Sequence, residues 1–233
     1  MIKTENLTKQ FDTTTALDCL STTIEEGRIY GLVGSNGAGK STLMDSIAGI
    51  HRPCAGKIYY KGEDITGQPA NVVVEKGLSL VPQGSRCFVR MSVEDNLFVG
   101  SYPKRARSKA KENLEKIYTL FPVLKEKRRD ASGSLSGGQR QMVAIGRALM
   151  ANPDLVLFDE ISLGLAPTII KDIYARIREI NQNGLSIVLV EQDIQRSKKT
   201  SELSYIMLKG KVVLSGRSRE LSDEEIKNAY FGI

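Results

Sequence analysis

The sequence predicts an α/β fold with a mainly parallel central sheet, and three observations carry that expectation. Four short runs, IYGLV (29–33), LSLV (78–81), LVLF (155–158) and IVLV (187–190), are mostly apolar and β-branched, the composition of strands covered on both faces. Helical periodicity follows or separates them. It covers 41–50; Met142, Ile145 and Leu149 mark one face of 139–150; and Ile169, Ile173, Ile177 and Ile180 mark one face of 168–180. A glycine-rich loop at 34–41 joins the first run to the first helical segment. Strands alternating with helices in this way bury a sheet between helical layers.

The remaining elements follow in chain order. Residues 20–24 (LSTTI) and 57–61 (KIYYK) alternate as half-buried strands do, with turns at Glu26-Gly27 and Lys61-Gly62. Between about 85 and 150 no strong strand run occurs. That stretch is read as a mostly helical lobe inserted in a single domain of 1–233, whose α/β core comprises 1–84 and 151–233. SDEE at 222–225 has the spacing in which a serine caps a helix and a glutamate reaches back, so a short terminal helix opens there. Neither an internal repeat nor a low-complexity tract interrupts the chain.

Composition bounds the chemistry. A chain of 233 residues, 41% hydrophobic and 26% charged, buries an ordinary core without disulfides or a structural metal. Its apolar runs fall far short of the roughly 18 residues that cross a bilayer. MIKTENLTKQ has no apolar signal core, so the chain is expected to stay in the cytosol. Cys19, Cys54 and Cys87 lack metal-ligand spacing and are expected to be reduced, small apolar residues. A single histidine, His51, excludes histidine-rich metal sites. The net charge of +6 is concentrated: residues 104–129 hold ten Lys or Arg against three Glu, and the rest of the chain sums to −1. Charge alone leaves three readings of that patch open, a nucleic-acid footprint, a face toward anionic lipid, or a solvated helix surface.

Function enters at Gly34-Ser35-Asn36-Gly37-Ala38-Gly39-Lys40-Ser41, which fits G-x-x-x-x-G-K-[ST] in full and is followed by Thr42. Glycines let successive N–H groups curl toward phosphate oxygens, and the helix that follows presents its positive end to the same anion. Lys40 neutralises β/γ-phosphate charge, and the Ser41 hydroxyl is suited to ligate Mg²⁺. The other three apolar runs end in Pro82-Gln83, Asp159-Glu160 and Glu191-Gln192. Ligands of an open parallel sheet sit beyond the carboxyl ends of its strands. If the four runs are neighbours, Lys40, Gln83, Asp159, Glu160 and Gln192 meet around one nucleotide. Asp159 then holds Mg²⁺ and Glu160 orients and deprotonates the attacking water. Gln83 and Gln192 bind metal, water or γ-phosphate without adding negative charge.

A second anion site stands at Leu135-Ser136-Gly137-Gly138-Gln139, two glycines and a serine at the start of a helix. One nucleotide does not need two such sites from the same chain, which points to service of a nucleotide bound by a second copy. With GSNGAGKS at 34–41, Gln83, LSGGQ at 135–139 and LVLFDE at 155–160 in this order and spacing, essentially the whole chain resembles the ATP-binding subunit of an ABC transporter. The resemblance implies a P-loop NTPase core with an N-terminal antiparallel β subdomain and an inserted helical subdomain. It implies ATP hydrolysis with Mg²⁺ at Ser41, Gln83 and Asp159, and catalysis by Lys40, Gln83, Glu160 and Gln192. Two subunits, identical or paralogous, pair head to tail, so that Ser136 and Gly138 contact γ-phosphate in trans. Phe11 matches the position of an aromatic stacked on adenine, and Gln83 marks a hinge between core and lobe. Transmembrane permease subunits, served by a substrate-binding protein, carry the solute. The ATPase is then peripheral on the cytoplasmic face of the cell membrane.

Within the family, PQGSRCFVRMSVEDNL at 82–97, LSGGQRQMVAIGRAL at 135–149, SLGLAP at 162–167 and VEQ at 190–192 resemble the ATPases of branched-chain amino acid importers. Importers of urea or short amides share much of this pattern. Two positions depart from the wider family. Gln192 stands where a histidine usually touches γ-phosphate; it donates a hydrogen bond and cannot become cationic. Ile161 stands where proline generally follows the catalytic glutamate. A soluble ABC ATPase acting on nucleic acid or ribosomes generally carries two cassettes or a long coiled-coil insertion. The chain has neither, and no nucleic-acid partner is expected. A nucleotide-binding module without turnover is opposed by the intact Lys40, Asp159 and Glu160.

Overall fold

The computed structural model describes residues 1–231. It begins β1 (Ile2–Phe11), β2 (Thr14–Ile24), β3 (Ile29–Gly34), α1 (Lys40–Ile47), β4 (Ala55–Tyr60), β5 (Glu63–Asp64), α2 (Ala70–Glu75) and β6 (Leu78–Val81). Five helices follow, α3 (Val93–Val99), α4 (Lys104–Arg107), α5 (Ala110–Leu120), α6 (Pro122–Glu126) and α7 (Gly137–Met150). The chain then runs through β7 (Leu155–Asp159), α8 (Pro167–Gln182), β8 (Ser186–Glu191), α9 (Ile194–Thr200), β9 (Leu203–Leu208), β10 (Lys211–Arg217) and α10 (Asp223–Phe231).

Two sheets divide the strands. The N-terminal sheet, ordered β2-β1-β4-β5, is antiparallel throughout. The larger sheet is ordered β10-β9-β3-β8-β7-β6, with β9, β3, β8, β7 and β6 parallel and β10 antiparallel to β9. The four apolar runs are therefore consecutive neighbours. Pairing of Val33 with Glu191, Asp159 with Val190 and Val81 with Phe158 brings their carboxyl ends to one edge.

Why those runs are continuous is visible in the packing. Successive side chains of a strand point to opposite faces, and each face here has its own core. Val81, Val156, Phe158, Ile187 and Leu189 pack with α5, α7 and α8, whereas Leu155, Leu157, Val188 and Val190 pack with α1 and the N-terminal sheet. Burying a side chain such as Phe158 contributes about 1.5–3 kcal/mol. On the far side of β3, α9 approaches so closely that a Cβ on Gly31 would lie 2.2 Å from Ser197 Oγ. The buried hydroxyls nearby satisfy one another, Ser201 with Ser218 at 3.1 Å and Ser204 with Ser218 at 2.8 Å.

Three expectations change. The run 78–81 is an edge strand, not a central one; α2 and α7 pack against it, which explains its apolar character. The first helix closes at Ile47, before Gly49 takes φ +76°, and Ile50 is left exposed. Cys19 and Cys54 are exposed and do not fill the core; Cys87 is half-buried, and all three are free thiols.

Candidate active site

The chain leaves β3 at Gly34 and turns through 35–39 into α1. The Ala38 N–H donates to the Ser35 carbonyl at 3.1 Å, closing the loop. Gly39 takes φ +98°, and a Cβ there would come 2.4 Å from the Ala16 carbonyl oxygen, so the position needs glycine twice over. No side chain caps the N-terminus of α1, and the positive end of the helix faces the loop. Lys40, only 4% exposed, folds back over this loop. Its Nζ donates to the carbonyls of Gly34 (2.9 Å) and Ser35 (3.1 Å) and lies 3.3 Å from Glu160 Oε1.

Glu160 is the meeting point. Its Oε2 accepts from Gln83 Nε2 at 3.2 Å and from Gln192 Nε2 at 2.8 Å. The Gln192 amide also donates to Asn36 Oδ1 at 2.9 Å. Beside it, Ser41 Oγ donates to Asp159 Oδ1 at 3.1 Å. Side chains from just beyond the ends of β3, β6, β7 and β8 thus converge on one carboxylate. Glu160 itself sits at φ +46°, a left-handed conformation that costs a non-glycine residue about 1–2 kcal/mol. Its N–H donates to the Val190 carbonyl at 3.2 Å, which helps hold it there.

Burial pushes the Asp159 carboxyl above the ordinary carboxylate range; the Ser41 hydrogen bond opposes this, nearby Glu160 and Asp45 add to it, and Lys40 again opposes it. Ser41 and Asp159 offer oxygen donors only, with the Gln83 amide across Glu160. That set fits Mg²⁺, which takes one or two carboxylates, retains waters and accepts substrate phosphate. Among the described residues no group of three His, Cys, Asp or Glu forms a closed cage for another metal.

Phe11 is 39% exposed, so it is not a core side chain. The His51 ring meets it edge-on, with centroids 5.1 Å apart, and Lys9 Nζ lies 4.8 Å from its centroid. The second glycine motif opens α7. Gln139 N–H donates to Ser136 Oγ (3.2 Å) and Ser136 N–H to Gln139 Oε1 (3.1 Å), a reciprocal cap. Leu135 anchors this turn in the core and Gly138 lies against Ile169, while Ser136 and Gly137 remain exposed. Among the described residues no hydrogen bond or ion pair joins 135–139 to 34–42.

Other features near the site were not anticipated. Glu191, beside Gln192, is 2% exposed. Its Oε2 accepts from Ser162 Oγ (3.1 Å) and Arg196 Nη1 (3.2 Å), while Oε1 has no partner among the described residues. Burial pushes its carboxyl up to about 7 against the opposing pull of Arg196 and Ser162. The only sequence signal was an acidic residue closing an apolar strand. Ile161 is buried in the core shared with α7 and α8, so the departure from proline supplies packing there.

A family model described as ABC transporter matches residues 17–162. The chain is 36% identical over 233 residues, the full length of both proteins, to the high-affinity branched-chain amino acid transport ATP-binding protein BraG of Pseudomonas aeruginosa. It is 32% identical over 240 residues to the lipopolysaccharide export system ATP-binding protein LptB of Haemophilus influenzae, covering 100% of this chain and 97% of that one. The crystal structure of a nucleotide-free ATP-binding cassette from an ABC transporter matches with a TM-score of 0.84 at 28% identity, over 100% of this chain and 95% of that one. With a fold, a set of motifs and full-length relatives in agreement, the chain belongs to the ABC transporter family, as one of its ATPases.

Proposed function

We propose that this chain hydrolyses ATP to power uptake of branched-chain amino acids through separate transmembrane subunits. The observation that carries the chemistry is the convergence of Lys40, Gln83 and Gln192 on Glu160, with Ser41 and Asp159 alongside. Loop N–H groups of 34–39 and Lys40 bind the β- and γ-phosphates, and Phe11 stacks on adenine. Ser41, Asp159 and Gln83 hold Mg²⁺, which supplies charge neutralisation at the phosphates. Glu160 accepts the proton of the attacking water, with its carboxylate oriented by the two glutamine amides.

Two copies pair head to tail, each offering its exposed Ser136 and its Gly138 to the γ-phosphate held by the other. The lobe of 85–150 moves as a unit on the core of 1–84 and 151–233. Beyond Gln83, the exposed apolar side chains Phe88, Val89, Phe98, Val99 and Tyr102 supply a surface for the membrane subunits. No helix among the described residues is long and apolar enough to cross a membrane. Attachment to the cytoplasmic face of the membrane therefore runs through those partners.

Replacing Glu160 with Gln should cut hydrolysis by ~10²–10⁴ and leave ATP binding intact, as loss of a general base does; undiminished turnover removes Glu160 from that role. The relationship to BraG favours transport of branched-chain amino acids. A second reading, the ATPase of a lipopolysaccharide exporter, is favoured by the full-length likeness to LptB. Co-purification with the membrane subunits, followed by ATP-driven uptake of labelled leucine into vesicles, separates the two. Assembly without leucine, valine or isoleucine uptake overturns the importer reading.

A further inference from the structure

Immediately after Gln83 the backbone does something unusual. Gly84, Ser85 and Arg86 take φ +79°, +63° and +42° in succession, and two of the three carry side chains that disfavour this region. A run of this kind persists only where its surroundings hold it. Within the run, the Arg86 N–H donates to the Gly84 carbonyl at 2.7 Å. Cys87 Sγ reaches the Ser85 carbonyl at 3.9 Å and the Arg140 carbonyl of α7 at 3.3 Å, and the other fastenings come from α7 side chains. Arg147 Nη2 donates to the carbonyls of Ser85 (3.3 Å) and Arg86 (2.9 Å). Ser85 Oγ donates to Gln141 Oε1 at 2.7 Å. The Arg147 guanidinium also lies over the ring of Phe88, 5.3 Å from its centroid.

Helix α7 is the element that Ser136 and Gly138 open. The segment carrying Gln83 is thus fastened to the helix that carries the second anion motif, and Gln83 in turn donates to Glu160. Among the described residues both fasteners keep a buried donor without a partner, Gln141 Nε2 and Arg147 Nη1. The junction therefore has hydrogen-bonding capacity beyond the bonds of this arrangement, as a joint with a second setting requires.

We propose that Arg147, assisted by Gln141, is a positioning residue that holds the 84–86 segment and thereby sets Gln83 against Glu160, linking the hydrolytic carboxylate to the placement of α7. This rests on the roles given above to Gln83 and Glu160. Movement of α7, when Ser136 and Gly138 engage a phosphate on a second copy, would be passed to Gln83 through these carbonyl contacts. Arg147 touches no substrate in this scheme and acts through Gln83 alone.

The test is a double-mutant cycle on the full chain, with Arg147→Met, Gln83→Ala and the two combined, reading ATP turnover and ATP affinity separately. Arg147→Met should lower kcat about tenfold with affinity for ATP changed less than about twofold, and Arg147→Lys should recover part of the loss. In the Gln83→Ala background, Arg147→Met should cost nothing further, because interactions that act through one another are not additive. Equal fold-losses in both backgrounds, or full turnover in Arg147→Met while Gln83→Ala is impaired, overturn the fastening alone. Full turnover in Gln83→Ala overturns the role of Gln83 and this proposal with it. Should Arg147→Met fail to fold, amide hydrogen exchange on Arg147→Lys decides. Exchange at 84–88 at least about tenfold faster, with α7 unchanged, supports the proposal, and unchanged protection at 84–88 overturns it.

Discussion

Replacing Glu191 with Gln should change how stability depends on pH, by an amount the structure sets. Glu191 is 2% exposed. Ser162 and Arg196 support one carboxylate oxygen at 3.1 and 3.2 Å, and the other has no partner among the described residues. Asp193, itself paired with Arg196 at 3.2 Å, adds a second negative charge nearby. Desolvation outweighs the pairing, and the carboxyl rises from near 4.5 to about 7. A carboxyl raised by folding is protonated more readily in the folded state than in the unfolded chain. Below its unfolded value both states hold the proton, and Glu191 contributes no pH-dependent term. As pH climbs toward about 7 the unfolded chain releases its proton first, so folding stability falls with rising pH and levels off above. At about 1.36 kcal/mol per pKa unit, the accumulated loss is about 3 kcal/mol. Glutamine keeps an acceptor for Ser162 and Arg196 without the charge. Unfolding free energies of variant and wild type should therefore coincide near pH ~4.5 and separate to about 3 kcal/mol in favour of the variant by pH ~8. Urea titrations across that range measure the gap, which corresponds to about 6–12 °C in Tm. Parallel curves, or a wild type that gains on the variant as pH rises, refute the reasoning.

Gly31→Ala forces a methyl group into the contact between β3 and α9, where Ser197 and Ser201 hydroxyls lie 2.2 and 2.7 Å from the new Cβ position. It should destabilise by about 1–3 kcal/mol in the same titrations, and a loss below about 0.5 kcal/mol means that the serines yield freely. ATP hydrolysis should lack a histidine limb near pH ~6.5, because Gln192 donates to Glu160 and the one histidine sits edge-on to Phe11. His51→Gln should therefore leave the pH–rate profile superimposable on that of the wild type, and disappearance of a limb in this variant overturns the assignment.

The parallel strands were legible because burial on both faces leaves a mark that alternation does not obscure. The site was legible because those strands are neighbours: once 29–33, 78–81, 155–158 and 187–190 lie side by side, the residues following each have little choice but to meet. Strand β1 was harder to read. Thr4 is buried among apolar neighbours, satisfied by the Thr22 hydroxyl at 3.0 Å, and shifts in register around Leu7 break its period. Strand β10 alternates exposed with half-buried residues, so its one-sided packing leaves a faint apolar signal. The edge position of β6 was hidden because helices cover it as thoroughly as strands would. Arg147 with the Ser85 and Arg86 carbonyls, and Arg196 with Ser162, join residues more than thirty positions apart without any period. Such links have no sequence signature, only a folded one.

The same contacts that define the site also constrain how it works. Lys40 is held by two carbonyls and by Glu160, and Glu160 by Lys40 and two amides. A phosphate entering the 34–41 loop competes with Glu160 for the Lys40 cation, and a polyanion is the stronger competitor in a site this buried. Loss of Lys40 frees Oε1, while Gln83 and Gln192 still orient the carboxylate through Oε2. In the role proposed for Glu160, the oxygen released is the one available to accept a proton from water. Substrate binding and activation of the base are in that proposed role a single electrostatic exchange, with Gln83 and Gln192 together orienting the released carboxylate.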